Sequence, residues 1–364
     1  RAQPVPVTDI ENAAGDSVLT VFEDGGLTVY GELGTGTIPI EGQGARMMWY
    51  PAKAAFRAGE ISDFSAGTGN EWNDSNIGEH SVAFGEGNEA SGNRSTAMGR
   101  YTVASGSNST AMGEGTTATG TNSTAMGDGT IADGSNATAM GNSSEATSTN
   151  ATAMGSATTA SGGSSTAMGN GTTASGFHST AMTYFTTASG KYSTAMGYVT
   201  EASADASTAM GYATVATTEN SLSIGTYNDA NREDIDGNPE TGPLFVVGNG
   251  TLSTQSDALV LEQSGNMTIA GTLTQNSDRR LKTNIEPITK GTLGKLVAIT
   301  PSRFQFRNHQ THPAGPQIGF IAQEVQQQFP ELVSRASNGY LSVSYSKFTA
   351  VLLKGLQEQQ AQIQ

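Results

Sequence analysis

The chain has 364 residues, of which 46 are glycine, only 14% are charged and none is cysteine. Without cysteine there can be no disulfide bond, no thiolate metal ligand and no cysteine nucleophile. No apolar run approaches the roughly 18 residues of a membrane-spanning helix. The composition therefore excludes a disulfide-rich fold and predicts no membrane insertion, and the sequence gives no reason to expect a metal or a cofactor.

The charge of the chain changes sign at one point. Ten of the 18 Lys and Arg residues, but only five of the 33 Asp and Glu residues, lie between 277 and 364. That segment is net positive by five charges, and residues 1–276 are net negative by twenty. An acidic region of this size repels nucleic acids and anionic membranes, so we expect neither as a partner.

The first 80 residues are predicted to form a β cap and an attachment region. The runs 17–22 and 26–30 consist mainly of strand-forming residues and meet at the turn sequence Glu23-Asp24-Gly25-Gly26, which is typical of a hairpin. The opening residues Arg1 to Pro4 are consistent with a terminus left after removal of a leader.

From residue 81 to residue 225 the sequence repeats every 14 residues, which indicates a solenoid with one turn per repeat. Two columns of residues define the period. The first column is Phe84, Met98, Met112, Met126, Met140, Met154, Met168, Met182, Met196, Met210 and Ile224. The second column is Ala90, Ala104, Ala118, Ala132, Ala146, Ala160, Ala174, Ala188, Ala202 and Ala216.

Each repeat offers two short strand-forming runs separated by Gly, Asn and Ser. Because side chains alternate along a strand, Thr110 and Met112 share one face, and Ser109 and Ala111 share the other. A disordered Ser/Thr/Gly linker is the alternative, but disorder requires no fixed spacing of Met and Ala. So thin a coil buries few apolar atoms, and we therefore expect it to pack against further copies of itself.

The repeat resembles the head repeat of trimeric autotransporter adhesins of the YadA type. In that family a serine, an apolar residue, alanine, a second apolar residue and glycine follow one another. Residues 81–85 (SVAFG) match this pattern, and residues 221–225 (SLSIG) match it with serine in place of alanine. The resemblance implies a left-handed parallel β-roll that forms a homotrimer. Thr183 departs from the pattern, because it stands where the other repeats have glycine.

Aromatic residues accumulate in the last third of the roll. Exposed aromatic residues on a polar surface are typical of a site that binds a glycan or a protein receptor. Packing between copies of the chain is the alternative. The candidate residues are Phe177, Tyr184, Phe185, Tyr192, Tyr198 and Tyr212.

Residues 226–276 are predicted to form an intertwined β connector, with strands at 243–248, 258–261 and 267–270. Before these strands, the acidic segment 228–240 partly fits a calcium-binding loop. Asp234 stands where such a loop needs glycine, so a solvated loop is the preferred interpretation. The residues at the ligand positions are Asp229, Asn231, Glu233 and Glu240.

The clearest chemical signal begins at Ser277. A hydroxyl needs an adjacent base to act as a nucleophile, and with only four histidines in the chain Lys282 is the better candidate. Arg279 and Arg280 are expected to favour the uncharged form of Lys282. A turn or a short helical start is needed to bring Ser277 and Lys282 together.

From Ser277 to its end, the chain resembles the intramolecular chaperone domain of endosialidases and other phage tailspikes, a self-releasing peptidase family. The resemblance implies that Ser277 attacks the carbonyl of Asn276 and that Lys282 takes its proton. It also implies positioning roles for Asp278 and Asn284, and a helix start at 318–325. The matching stretches are 277–285 (SDRRLKTNI), 318–325 (IGFIAQEV), 329–333 (FPELV), 341–343 (LSV) and 345–348 (YSKF).

The stretch 346–364 is predicted to be a helix, because Phe348, Leu352 and Leu356 are spaced by four residues. Such a helix can pair threefold in a coiled coil, although Gly355 and the glutamine-rich end weaken it.

Together these features predict a mainly β protein. Its parts are a β cap (1–80), a trimeric β-roll (81–225), a β connector (226–276) and a small α+β chaperone domain ending in a coiled-coil helix (277–364). The predicted function is a trimeric fibre or adhesin for surface attachment or host recognition, located outside the cell, on its surface or in a virion tail fibre. The enzymatic activity predicted is a single self-cleavage by the pair of Ser277 and Lys282. A purely structural spacer and a polysaccharide-degrading tailspike are the alternatives, but no carboxylate pair typical of a glycosidase is apparent.

Overall fold

A computed structural model gives the fold of two compact units, Arg1–Val260 and Leu261–Gln364. The structure describes residues 6–62, 69–229, 242–308, 312–313 and 315–364. Of the candidate calcium ligands, Asp229 is therefore described, whereas Asn231, Glu233 and Glu240 lie outside the described residues.

The chain begins with a three-stranded antiparallel meander of strands Pro6–Glu11, Ser17–Phe22 and Leu27–Val29. The second and third strands form the predicted hairpin, with Leu19 opposite Val29. The first strand was not predicted from the sequence. It is fastened by Asp9, whose carboxylate accepts hydrogen bonds from the hydroxyls of Ser17 at 2.7 Å and Thr20 at 2.9 Å.

A second hairpin, Gly44–Tyr50 and Ala55–Ile61, joins the meander region to the solenoid. Its second strand lies parallel to the first solenoid strand, with Phe56 opposite Val82. The short 3-10 helix Pro51–Lys53 connects the two strands of this hairpin, and a second one, Asp74–Asn76, follows the hairpin in sequence. A small core seals the region, formed by the buried residues Met48, Tyr50, Ala55 and Ile77.

Between residues 69 and 229, all of which are described, the 14-residue repeat forms two parallel sheets in strict register. We call them the long-strand sheet and the short-strand sheet. The eleven five-residue solenoid strands of the first are Val82–Glu86, Thr96–Arg100, Thr110–Glu114, Thr124–Asp128, Thr138–Asn142, Thr152–Ser156, Thr166–Asn170, Thr180–Tyr184, Thr194–Tyr198, Thr208–Tyr212 and Leu222–Thr226. The nine two-residue strands of the second are Val103–Ala104, Thr117–Ala118, Ile131–Ala132, Glu145–Ala146, Thr159–Ala160, Thr173–Ala174, Thr187–Ala188, Glu201–Ala202 and Val215–Ala216.

The solenoid interior is built from alanine and small hydroxyl residues. Ala111 of a long strand and Ala118 of a short strand are both 0% exposed, and so are their equivalents in nearly every coil. The hydroxyl residues Ser109 and Thr116 are buried beside them. The predicted alternation is therefore correct, and the structure adds that the alanine face points inward. Met112 and Thr110 lie on the outer face and are only partly buried.

Glycine occupies the fourth position of every long strand but one. Gly113 has a φ of +125°, and a Cβ on it would overlap the carbonyl oxygen of Gly127 in the next coil. Thr183 takes the equivalent position in one coil with a φ of +98°, a region that β-branched residues rarely adopt. This coil is the one in which the sequence departs from its own pattern.

The three predicted connector strands are present at Pro243–Asn249, Asp257–Glu262 and Met267–Ile269. The first of them continues the long-strand sheet in parallel, with Phe245 opposite Leu222.

The C-terminal unit is a small α+β domain. Its described helices are α1 (Thr292–Val297), α2 (Ala322–Gln328) and α3 (Tyr345–Ile363). Strand Ser302–Phe304 pairs with Gln317–Gly319, and strand Val333–Arg335 pairs with Leu341–Val343, both antiparallel. A short 3-10 helix, Pro330–Leu332, precedes the latter pair. The core of this unit consists of Ile299, Val325, Phe329, Leu332, Phe348 and Val351.

One expectation for this unit needs correction. Ile318 does not start a helix: it lies in a strand, and α2 begins only at Ala322, after Ile321 in extended conformation. Gly355 is more than a weak point of α3, because a Cβ there would overlap Leu296 of α1. The glycine lets the two helices approach each other closely.

Candidate functional site

Asp278 shapes the turn that follows Ser277. Its carboxylate accepts the backbone N–H of Arg280 at 2.8 Å and so begins the 3-10 turn Arg279–Leu281. The guanidinium of Arg280 donates two further hydrogen bonds to this carboxylate, from Nη2 to Oδ2 at 2.7 Å and from Nε to Oδ1 at 3.1 Å. These hydrogen bonds hold the pKa of Asp278 below its usual value. The carboxylate therefore stays charged and keeps the turn closed at neutral pH.

The turn brings the two candidate catalytic side chains together. Nζ of Lys282 donates a hydrogen bond to Oγ of Ser277 at 2.7 Å. A single 3-10 turn bridges the five residues between Ser277 and Lys282. The spacing in the sequence predicted a turn or a short helical start of this kind. A hydroxyl and an amine at this distance can exchange a proton directly.

The pairing of Arg280 with Asp278 changes one electrostatic expectation. The charge of Arg280 is offset by a carboxylate two residues away. Of the two cations that precede Lys282, Arg280 is therefore engaged by Asp278. Two further residues that the sequence singled out lie on either side of this pair. Asn276 directly precedes Ser277, and Asn284 follows Lys282 by two residues with a φ of +50°, in the left-handed region.

The whole segment around the site is exposed in the single chain. Every side chain from residue 270 to residue 291 is exposed. The large nonpolar side chains of this stretch are between 41% and 70% exposed, and the most exposed of them are Leu273 and Leu281. The side chain of Gln275 contacts α3, because its Nε2 donates to Oγ of Ser346, 3.5 Å away at the start of that helix.

The six aromatic candidates of the solenoid fall into two separate groups. Tyr184, Tyr198 and Tyr212 end three successive long strands, and their rings stack at 5.0 and 4.7 Å with interplanar angles of 10° and 8°. Phe185 packs edge-on against Tyr184 at 4.6 Å. Tyr227 extends the column at 5.2 Å from Tyr212, and the hydrogen bond between the two hydroxyls raises the pKa of Tyr227.

The second group lies on the other turn of the coil, just before the long strands begin. Phe177 contacts Tyr192 edge-on at 6.2 Å, and His178 stacks against Tyr192 at 5.7 Å. Both groups are exposed in the single chain. Sequence reasoning missed Tyr227 and His178, since only aromatic residues within the repeats were counted and histidine was considered only as a base.

No metal site or membrane span accompanies these groups in the described part of the chain. Among those residues, no cluster of three His, Asp or Glu side chains could hold a metal ion. None of the described helices is both long and apolar enough to cross a bilayer.

Comparison with known families now adds to this geometry. Residues 277–334 match the family Peptidase_S74, the chaperone of endosialidase. Seven stretches between residues 77 and 228 match the YadA head domain repeat. No curated protein sequence matches the chain. The chain thus combines YadA head repeats with a chaperone-of-endosialidase domain, as the sequence motifs predicted. This combination supports a trimeric fibre or adhesin with a self-cleaving intramolecular chaperone.

Proposed function

We propose that this chain forms a homotrimeric fibre for surface attachment or host recognition. Its C-terminal domain drives assembly and then cuts the chain between Asn276 and Ser277. The observation that carries the cleavage proposal is the 2.7 Å hydrogen bond between Lys282 and Ser277 in a domain of the Peptidase_S74 family.

The proposed reaction needs only groups of this chain and one water. The uncharged amine of Lys282 takes the hydroxyl proton of Ser277, and Oγ attacks the carbonyl carbon of Asn276. The C–N bond then breaks, the new amino group of Ser277 receives the proton from Lys282, and an ester joins Asn276 to Oγ. Water hydrolyses this ester, which leaves a carboxylate on Asn276 and restores the hydroxyl of Ser277.

Asp278 and Asn284 act as positioning residues in this proposal. Asp278 keeps the 3-10 turn closed through Arg280, and the turn sets the distance between Lys282 and Ser277. The left-handed backbone at Asn284 redirects the chain two residues after Lys282. Asparagine tolerates this conformation better than most residues.

Exposure of the cleavage segment couples the reaction to assembly. In a single chain the site is open to water, and Leu281 and Ile285 beside it have no apolar cover of their own. Packing against two further copies buries these side chains and excludes water from the site. Electrostatic interactions and proton transfer are more effective in such an environment. Cleavage then follows trimer formation.

Two surfaces of the chain suit the contacts of a trimer. On the solenoid, the outer face of the long-strand sheet presents a methionine column from Met98 to Met210 beside a threonine column. On α3, one face packs on its own domain through Phe348 and Val351, while the stripe beside this face is exposed. This stripe follows the heptad spacing of a coiled coil through Tyr345, Thr349, Leu352, Leu356, Gln359 and Ile363.

A C-terminal domain that is cut off after assembly, which we call the removable clamp, solves a specific assembly problem of this solenoid. Successive coils are nearly identical, so a slip by one coil between copies leaves most contacts satisfied. A trimer of C-terminal domains fixes the register and raises the local concentration of the three shafts. After release of the clamp, an unfolded shaft has no efficient way back, and the fibre is kinetically stable.

The appearance of two fragments tests the cleavage proposal. Denaturing electrophoresis of folded wild-type protein should give two pieces, and amino-terminal sequencing of the smaller piece should begin at Ser277. Ser277→Ala and Lys282→Ala should remain full length. Lys290→Ala removes an exposed lysine of the same segment and should be cut normally. Uncut wild-type protein after complete folding would refute the proposed reaction.

A further inference from the structure

A groove lies on the solenoid next to the stacked tyrosines. It has a volume of about 300 Å³, at the lower end of the range for small-molecule sites. The residues that give it its chemistry are Phe185, Val199, Tyr227, Leu252, Glu201 and Gln255.

The large side chains of this groove occupy backbone positions suited to glycine. Phe185, Val199 and Tyr227 have φ values of +47°, +53° and +43°. The same turn position has a positive φ in every coil, whether it holds glycine, as at Gly115 (+60°), or another residue, as at Tyr101 (+53°). The turn of the repeat therefore sets this conformation. The groove differs from the rest of the column in that three of its turn positions carry large side chains.

The geometry of the rings separates Phe185 from the tyrosine column. Tyr184, Tyr198 and Tyr212 cover each other's faces, so this column presents mainly ring edges to a ligand. Phe185 stands at 78° to Tyr184 and borders the groove. The column is therefore a rigid support, and Phe185 is the aromatic side chain placed for contact with a ligand.

The groove and the methionine column belong to opposite sheets. Glu201 lies on the short-strand sheet, next to the inward-facing Ala202. Met182 and Met196 lie on the outer face of the long-strand sheet. Since the two sheets enclose the interior, their outer faces point away from each other. A trimer that packs through the methionine column leaves the groove accessible.

The lining suits one sugar ring. Phe185 and Leu252 offer apolar surface to the C–H face of a pyranose, while the carboxylate of Glu201 and the amide of Gln255 can pair with its hydroxyls. None of the described lining residues is Lys or Arg. Residues 1–276 are also strongly acidic, which disfavours sialic and uronic acids.

We propose that this groove binds one pyranose ring of an uncharged or amino-bearing glycan. The inference rests on the proposed attachment function and names the ligand class and the subsite. It assigns the apolar contact to Phe185 and the hydroxyl contact to Glu201.

The test compares variants of the cleaved trimer on an array of galactose- and N-acetylglucosamine-terminated oligosaccharides and their sialylated counterparts. We expect binding to neutral termini, at least tenfold weaker binding to the sialylated forms, and retention of affinity in Phe185→Tyr. Phe185→Ala and Glu201→Gln should each lose about tenfold. Phe177→Ala, which removes an equally exposed ring on the other turn of the coil, is the matched control.

Three results would overturn the inference: unchanged binding in Phe185→Ala, equal binding of sialylated forms, or absence of binding by a correctly cleaved wild-type trimer. Dissociation of the trimer in Phe185→Ala would assign the groove to subunit contact and would overturn it as well. Loss of glycan binding in Phe177→Ala alone would support the attachment function but place the glycan site at Phe177, which would overturn its assignment to this groove. The fibre and its cleavage are tested separately by fragment analysis and sedimentation.

Discussion

Arg57 lies directly opposite Ala83 in the parallel pairing of the cap strand with the first solenoid strand. It takes the interior position that alanine has in the coils that follow, and it is 0% exposed. Its guanidinium donates to the carbonyl oxygens of Ser81 and Ala90, at 3.0 Å each, and to the hydroxyl of Ser81 at 2.8 Å. A single arginine thus closes the end of the interior by satisfying its acceptors.

Replacement of Arg57 should destabilise the solenoid. Arg57→Met keeps the apolar volume but removes three buried hydrogen bonds from a charged donor, each worth about 1.5–3 kcal/mol before the cost of burying the charge is subtracted. We expect a total loss of about 3 kcal/mol in the free energy of unfolding, measured by urea denaturation. Arg94→Met removes an exposed arginine that binds Asn108 in the next coil, and it should change stability by less than about 0.5 kcal/mol. Equal effects of both changes would contradict the role of Arg57.

The two faces of a long strand should respond differently to mutation. Ala125 is 0% exposed between two sheets, so Ala125→Val overpacks the interior and should cost about 1–3 kcal/mol. Met126→Ala removes outer-face surface and should leave the fold of the coil intact. In the trimer it should instead lower the urea concentration at which the chains separate. Denaturation followed by circular dichroism and by sedimentation separates these two effects, and a larger folding defect in Met126→Ala would contradict the assignment of faces.

The Asp278 turn predicts a graded series of cleavage rates. Asp278→Asn retains an oxygen for the backbone N–H of Arg280 but loses the ion pair, so cleavage should slow by a few fold. Asp278→Ala loses both, and we expect a reduction of at least tenfold, because the turn no longer fixes the distance from Lys282 to Ser277. The rate is measured as the fraction of cut chain against time after refolding. Identical rates in all three proteins would remove Asp278 from the mechanism.

The cap should lose stability in acid through Asp74. The hydroxyl of Tyr50 at 2.8 Å and the amine of Lys53 at 3.1 Å lower the pKa of this carboxylate. Its contribution is complete above the ordinary pKa of aspartate and is lost as the pH falls through the lowered value. Because Asp74 is half exposed, the effect should not exceed about 1 kcal/mol. Urea denaturation between pH 6 and pH 2 should show a steeper loss in the wild type than in Asp74→Asn; parallel curves would contradict this coupling.

The periodicity of the sequence was sufficient to predict the solenoid, because one residue type at each position repeats in register. It could not predict the inward face from Met and Ala alone, since the larger residue is usually the buried one. Here the interior of the coils is filled by alanine and small hydroxyl residues, such as Ala111, Ala118 and Thr116. The bulkier residues of the period are left for contacts outside the chain.

The aromatic surface and the C-terminal domain were harder to predict. Counting in steps of fourteen places Thr226 opposite Tyr212, yet the ring of Tyr227 is the one that packs on Tyr212. Ring contacts depend on how the turn aims its side chains, which the spacing does not record. Likewise, Gly355 had the appearance of a helix-weakening residue, and its use became evident only with Leu296 beside it.

The most direct test of the account is the mass of the native particle with and without the C-terminal domain. Sedimentation equilibrium of the protein expressed as the whole chain should give three shafts per particle after cleavage. The same shaft expressed alone, as residues 1–276, should fail to reach this state and should aggregate or remain unfolded. A folded single protomer from the whole chain, or an identical trimer from residues 1–276 alone, would contradict assembly under a removable clamp.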